Sequence, residues 1–498
     1  MNQDLNVIAE PSRQAPSRQA PCRVAIVGGG IAGLAAAFSI LRARPGTDLQ
    51  IFESSDRIGG AIQTERSGEF LVEHGADMFA TEPRGALRLC EQLGIDGEWI
   101  LPQTGVHGAA ILHRGKLVRI PEGFVLMRPT RLWPMMTTPL LSIAGKLRLL
   151  SEPFRRTRGN IEDESIESFV LRRLGRETME RIVQPLVGGI YTGDVRSLSM
   201  AAAMPQFWEM ESDHGSLFRA TIRRSRSGLD SVEKNSAGAR YEKFRSFPGG
   251  MQRLIDALGG AIPPASIHLS SPVERMRRAS TLGDEGRWTL DVNGQPSAPF
   301  DHVMVATPAR HASKILAECC PVASESLAKI RFASSVVVAV VIRDQDHSVN
   351  WDVAGVVVPI IERRQVLAIS FTGDKFAGRT PPGYRLIRVF IGGELQADLL
   401  RHDDAELVSI AISELRSVIG FTGEPVMTKV LRWTDAMPQY HVGHLRLLDT
   451  IDAAISEAPG ISLIGNSLRG VGIAPTITHA VQKAQMIVDA ATQTDHRG

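Results

Sequence analysis

The chain has 498 residues and an almost even charge balance, 56 Lys and Arg against 54 Asp and Glu, for a net charge of +2. That balance gives no reason to expect a nucleic-acid partner. Four cysteines, with no C-x-x-C, argue against a disulfide scaffold or zinc-type spacing, and no apolar run approaches the ~18 residues of a membrane span.

Residues 1–21 carry two copies of PSRQA (11–15 and 16–20) and no apolar core, which reads as a disordered tail and not a signal peptide. The stretch 23–57 follows. Val24 to Val27 predicts a buried strand, a glycine turn opens an Ala/Leu-rich helix, and Leu49 to Phe52 predicts a second strand ending at Glu53. Gly28, Gly30 and Gly33 fit G-x-G-x-x-G. These glycines suit a tight turn, close approach to a pyrophosphate, and close helix–strand packing. The helix start, through Gly29, Ile31 and Ala32, aims free N–H groups at phosphates. Glu53 stands where a carboxylate takes ribose hydroxyls, with Ser54 beside it. Arg57, Gly59, Gly60 and Ala61 bring the chain across the ligand a second time, with Arg57 a candidate phosphate partner.

Further on, Phe70 to Val72 predicts a strand, and Glu73, His74, Gly75, Ala76 and Asp77 form a turn directed back at the ligand. Residues 83–95 predict a helix from Pro83 to Gly94. Residues 124–158 mix Trp133, Met135, Met136, Leu140, Leu141, Leu149 and Leu150 with seven Arg and Lys and only Glu152 as an acid. The segment suits either an anionic bilayer surface or a cap packed on the core. Residues 161–204 begin as a helix, and 219–245 read as an exposed basic loop, since no aromatics interleave to suggest RNA. A turn and helix fill 246–258, a strand is expected over Ile267 to Met276, and another over Asp301 to Thr307. Apolar runs within 332–393 predict an antiparallel sheet. Residues 404–419 predict a helix, and Trp433 to His444 a crossing segment. His441 and His444 have metal-like spacing but no third ligand, so they read as loop residues. Near the end a strand, Ile461 to Ile464, leads through Gly465 to a second glycine loop, Gly470, Val471 and Gly472, and then to a helix from Ile473. Its N-terminus would aim positive dipole at a bound ring and raise its reduction potential.

Glu53 followed by SSDRIGG resembles the flavin amine oxidase superfamily, which implies FAD. Four later pieces sharpen the resemblance: GGIYTGDVRSLSM (188–200), FPGGM (247–251), MPQYHVGH (437–444) and GNSLRGVGI (465–473) are together similar to the protoporphyrinogen and coproporphyrinogen oxidases that use oxygen. The resemblance implies an α/β fold with a discontinuous Rossmann-like FAD-binding domain, a substrate domain on a mixed or antiparallel sheet, and a helical membrane-facing subdomain. The expected division is a tail at 1–21, FAD-binding segments at 22–87, 246–310 and 446–498, a helical domain at 88–204, and substrate-domain segments at 205–245 and 311–445. It further implies cofactor contacts at Gly28 to Gly33, Glu53, Ser54, Ala61, Gly75 to Met78, Val273, Trp433, and Val471 to Ile473. Substrate-lining residues would be Gly189, Val357 and Phe390.

The implied reaction is oxidation of protoporphyrinogen IX, or alternatively coproporphyrinogen III, with O2 as acceptor. A porphyrinogen needs orientation and a dry pocket more than an acid or base, so no catalytic residue and no metal is named. Where some relatives carry a propionate-binding arginine, the strand Gly108 to His113 offers Ala109, so anchoring differs. Amine oxidase, phytoene-type desaturase and a non-catalytic flavin scaffold remain rivals. No cysteine follows Cys320 to hold flavin covalently. The expected location is cytoplasmic, peripheral on the inner membrane face through 124–158, with a homodimer allowed.

Overall fold

A computed structural model describes residues 22–106, 108–125, 127–129, 131–226, 243–280 and 283–495. The tail expected at 1–21 and the part of the basic loop at 227–242 lie outside the described residues.

The apolar run Arg23–Val27 becomes the centre of a five-stranded parallel sheet. Its strand order is Ile267–His268, Asp48–Phe52, Arg23–Val27, His302–Val305 and Ile461–Leu463. Val24, Ala25 and Ile26 are wholly buried, as expected of a parallel strand covered on both faces. Helices Ile31–Ala43 and Ile473–Asp495 follow two of these parallel strands, so both begin at the same carboxyl edge of the sheet. They share one core, in which Ala35, Ala36, Ile477, Ala480 and Ala484 are buried. Small residues let the backbones approach. At Gly85, which opens the helix Gly85–Leu93, an added Cβ would lie 2.2 Å from Thr478 Oγ1.

The second sheet has seven strands, ordered Met427–Gln439, Arg331–Arg343, Tyr384–Gly392, Ala368–Ser370, Gly355–Val357, Ala110–His113 and Lys116–Arg119. It is mixed, because Gly355–Val357 and Ala110–His113 pair in parallel. Residues directly opposite in a ladder share a face. One such row runs Ile111, Val357, Ala368, Phe390, Val337 and Leu431. Two residues along lies the row Gly355, Ser370, Arg388, Ala339 and Lys429. The opposite face, with Val338, Val340, Ile387 and Val389, is covered by helix Asp404–Ile419 through Leu407, Ala411 and Leu415. That helix starts on a reciprocal cap between Asp403 and Glu406.

Several expectations change here. Within 88–204, expected to be helical, residues Ala110–Arg119 form a hairpin of the second sheet; short apolar alternation around Gly115, at φ +73°, favours a β-turn over a helix. Within 205–245, assigned to the substrate domain, Pro205–His214 and Leu217–Arg226 are helices. Phe207, Met210, Leu217 and Phe218 pack into the same core as Phe169 and Ile182. Residues 219–226 are thus not an exposed loop, because Leu217, Phe218, Ala220 and Thr221 give one buried stripe. The strand expected over Ile267 to Met276 is two strands in different sheets. The chain turns at Ser270, φ +49°, and Val273–Arg278 joins a small antiparallel sheet. Trp433 lies inside the long strand Met427–Gln439 and not in a crossing segment.

Candidate active site

The first glycine turn is shaped by contacts a side chain would destroy. Gly28 has φ +111°, and a Cβ on Gly33 would sit 2.0 Å from the Gly28 carbonyl oxygen. By contrast, a Cβ on Gly30 would meet only Gly60 Cα at 3.9 Å, so the turn is open toward the second glycine pair. The two turns are tied: Gly59 N–H donates to Gly29 O at 2.8 Å. Helix Ile31–Ala43 has no side-chain cap, which leaves its first-turn N–H groups, at Ile31, Ala32 and Gly33, without intrahelical acceptors.

Glu53 is nearly buried, and both its oxygens are engaged. Oε2 accepts the Gly29 N–H at 2.6 Å, while Oε1 accepts from Ser55 N at 2.9 Å, Ser55 Oγ at 2.8 Å and Ser54 Oγ at 3.3 Å. The carboxylate therefore fixes the turn at the strand end. Arg57 is turned to the protein: its guanidinium donates to the carbonyls of Ile58, Gly60 and Ile62. In this geometry it braces the second glycine pair instead of projecting toward a phosphate. Val273 lies two residues after Ser271, whose N–H donates to Glu53 O at 2.8 Å, so it lies near the same strand end.

The turn 74–78 is pinned from two sides. Trp433 Nε1 donates to His74 O at 3.1 Å, and a Cβ on Gly75 would fall 2.2 Å from Ala61 O and 3.8 Å from the Trp433 ring. Ala61, Gly75 and Trp433 therefore meet. Ala76 is exposed, Met78 half-buried and Asp77 buried. At the other end Gly465 has φ +123°, and Gly470 and Gly472 have φ +75° and +112°, ahead of the C-terminal helix at Ile473. Gly472 is exposed, with Val471 and Ile473 half-buried.

Val471 also packs on the helical core, as do Val357 and Ala109. The three substrate-lining candidates come together. Val357 and Phe390 flank Ala368 in one row, and a Cβ on Gly189 would lie 3.3 Å from Val357 Cγ1. Gly189 belongs to helix Gln184–Tyr191, which lies over that row, with Ile190 and Gly189 exposed. An apolar floor and a small-residue roof thus adjoin the segment that precedes the C-terminal helix. His441 and His444 do not form a pair: His444 begins helix His444–Ser456, is buried, bonds Leu468 O through Nε2 at 2.9 Å and stacks on Tyr440, while His441 faces Glu394 at 3.4 Å. Among the described residues no group of three His, Cys, Asp or Glu is placed to hold a metal ion.

A sequence model for the flavin-containing amine oxidoreductases matches residues 31–488. The chain belongs to the flavin-containing amine oxidoreductase family. Curated relatives include a coproporphyrinogen III oxidase of Propionibacterium freudenreichii, 33% identical over 94% of this chain and 90% of that one. Another is protoporphyrinogen oxidase 2 of Arabidopsis thaliana, 26% identical over 93% of each chain. A crystal structure assigned to a protoporphyrinogen oxidase of Exiguobacterium sp. 255-15 superposes with a TM-score of 0.79 and 26% identity. It covers 94% of this chain and 99% of its own.

The protein is a mixed α/β oxidoreductase, and its cofactor is FAD. The residues present fit that group: the glycine cradle is kept open where a dinucleotide would run, and the uncapped start of helix Ile31–Ala43 and the start of helix Ile473–Asp495 lie at one sheet edge. Two features escaped the sequence. Ala368 lies between the two strands that were singled out, and the alternation in QVLAISF was its signal. Beneath residues 73–77 the fold also buries Lys375, Arg379 and Arg388.

Proposed function

We propose that this family member oxidises a porphyrinogen to the porphyrin in heme biosynthesis, with protoporphyrinogen IX or coproporphyrinogen III as substrate and O2 as acceptor. The observation that carries the reading is the apolar row Val357, Ala368 and Phe390 under Gly189, adjoining Val471. The names of full-length relatives support it. The greater identity to the Propionibacterium enzyme favours coproporphyrinogen III of the two.

FAD, when bound, supplies a two-electron acceptor. Gly28 to Gly33, Glu53, Ser54, Gly60 and Ala61 would hold its dinucleotide part. Gly75 to Met78, Trp433, Gly465 and Val471 to Ile473 would line its ring, and Val273 its adenine. The apolar row and Gly189 would orient a flat, greasy macrocycle and keep water out. The macrocycle itself supplies easily oxidised bridging carbons and pyrrole N–H protons, so no side chain is required as acid or base. The FAD-binding segments would be 22–87, 246–310 and 446–498. The test is anaerobic: bleaching of the flavin band by either porphyrinogen is expected, and bleaching by benzylamine alone would sink the reading. The ratio of the two porphyrinogen rates decides between the substrates.

A helical surface docked on the inner face of a cytoplasmic membrane completes the proposal. Trp133, Ile143, Leu147 and Phe154 are 77%, 79%, 61% and 86% exposed within one basic segment, more than solvation of single apolar residues explains. Some of its arginines serve the fold: Arg128 is buried, and Arg148 bonds the carbonyls of Leu171, Arg172 and Arg173. No described helix is long and apolar enough to cross a membrane. Trp133→Ser with Phe154→Ser should abolish co-sedimentation with phosphatidylglycerol vesicles; undiminished co-sedimentation would refute the surface.

A further inference from the structure

Five charged side chains meet under the turn 73–77, beside the strand Tyr384–Gly392 of the seven-stranded sheet. Glu73, Asp77, Lys375, Arg379 and Arg388 are all at most 6% exposed. Asp77 takes the Lys375 ammonium and lies 3.9 Å from Arg388 Nη1. Glu73 accepts from Thr64 Oγ1 at 2.7 Å and Met251 N at 2.8 Å, and lies 3.9 Å from Arg379 Nη2. Arg379 Nη2 donates to Ser246 Oγ at 2.6 Å, and that hydroxyl donates in turn to Asp77 O at 2.7 Å. Arg388 Nη2 donates to Gly75 O at 2.6 Å and reaches His74 O at 3.5 Å. Arg388 Nε and Arg379 Nε and Nη1 have no hydrogen-bond partner among the described residues.

Three cations face two carboxylates, so the cluster holds one surplus positive charge away from water. A buried charge without a counter-charge is costly. Charges this deep are weakly screened and act over several ångströms. The surplus is attached, through Arg388, to the carbonyls of His74 and Gly75, in the turn assigned above to the flavin ring.

We infer that Arg388 and its cluster are an electrostatic counterweight for reduced FAD. Taking up two electrons and one proton adds one negative charge to the cofactor, and the surplus positive charge then favours the reduced form. Arg388 is a positioning residue: it fixes the turn and supplies charge without meeting substrate. The inference rests on the reading that residues 75–78 line the ring.

The experiment is spectroelectrochemical titration of the purified holoenzyme, with the visible spectrum recorded alongside. Arg388→Met should shift the reduction equilibrium at least tenfold toward oxidised FAD, about 30 mV for a two-electron couple. Arg388→Lys, which keeps the charge, should recover most of that shift. Arg379→Met removes the same charge without touching the carbonyls of residues 74 and 75. It should move the potential the same way, and it serves if Arg388→Met does not fold. A visible band that shifts while the potential moves less than tenfold overturns the inference alone. If neither band nor potential responds, the turn does not meet the ring, and the reading beneath the inference falls with it.

Discussion

Inside the helical region Arg158, Arg172 and Arg173 meet Glu152, Glu164 and Glu211, while beneath residues 73–77 three cations meet only Glu73 and Asp77. The first group sums to zero. Arg172 Nη1 lies 2.6 Å from Glu211, Arg173 pairs with Glu152, and Glu152 also accepts from Ser216 Oγ at 2.6 Å and Leu217 N at 3.0 Å. That carboxylate anchors the start of helix Leu217–Arg226, so the neutral group's whole output is internal: it joins helices. The second group is more deeply buried and unbalanced, and it is tied to the turn proposed to line the flavin ring. Deeper burial with a surplus charge separates the proposed counterweight from a brace.

The most direct way to break the contrast is Glu152→Ala. It removes the nearest carboxylate from buried Arg173, leaving Glu211 at 3.5 Å, and frees the Leu217 N–H, so unfolding free energy should fall by about 3 kcal/mol, read by urea titration, while the flavin potential stays unchanged. A potential shift here would erase the distinction between the groups.

A control lies outside both. His479 is buried with Nδ1 unpartnered; burial first, then Lys483 and Arg469, push its pKa down to about 4. The unfolded chain takes up this proton near pH 6.5 and the folded chain does not, so stability must fall as pH drops from 6.5 to 4, by roughly 3 kcal/mol. His479→Gln should flatten that slope in urea midpoints; an unchanged slope would assign it elsewhere.

The smallest expected effect sharpens the second group. Burial pushes the Asp77 pKa up, but Lys375, Arg388 and Arg379 outweigh it and hold it at about 2. Its contribution is full above the unfolded value near 4 and is lost as pH falls toward 2, about 2 kcal/mol in all. Burial moves Glu73 the opposite way, upward, which offsets part of it. Wild type and Asp77→Asn should therefore converge in stability in that acid window; parallel curves would mean that Asp77 is not the charged partner.

Much of the first sheet was readable, because a dinucleotide turn needs glycine at fixed spacing and a buried parallel strand needs an unbroken apolar run. The second sheet showed as apolar runs, but its order did not, since register depends on partners far along the chain. Arg388 left one faint signal: Leu386, Arg388 and Phe390 alternate onto one face, and a guanidinium between Leu and Phe on an inward face asks for a reason. Lys375 and Arg379 left none, because a short loop rich in Gly and charge looks the same whether it is solvated or sealed under another sheet. Helix Leu217–Arg226 was hidden by its arginines, although its buried residues have helical spacing.

The strand Ile461–Leu463 and the helix that follows complete the parallel sheet and press against the first helix, some 430 residues upstream of Ile473 by the difference from Ala43. A growing polypeptide on the ribosome would make the glycine turn hundreds of residues before its closing partner. Cofactor capture must then await synthesis of that helix, and a translation product stalled before it would be apo-protein with an open, greasy seam in need of a chaperone.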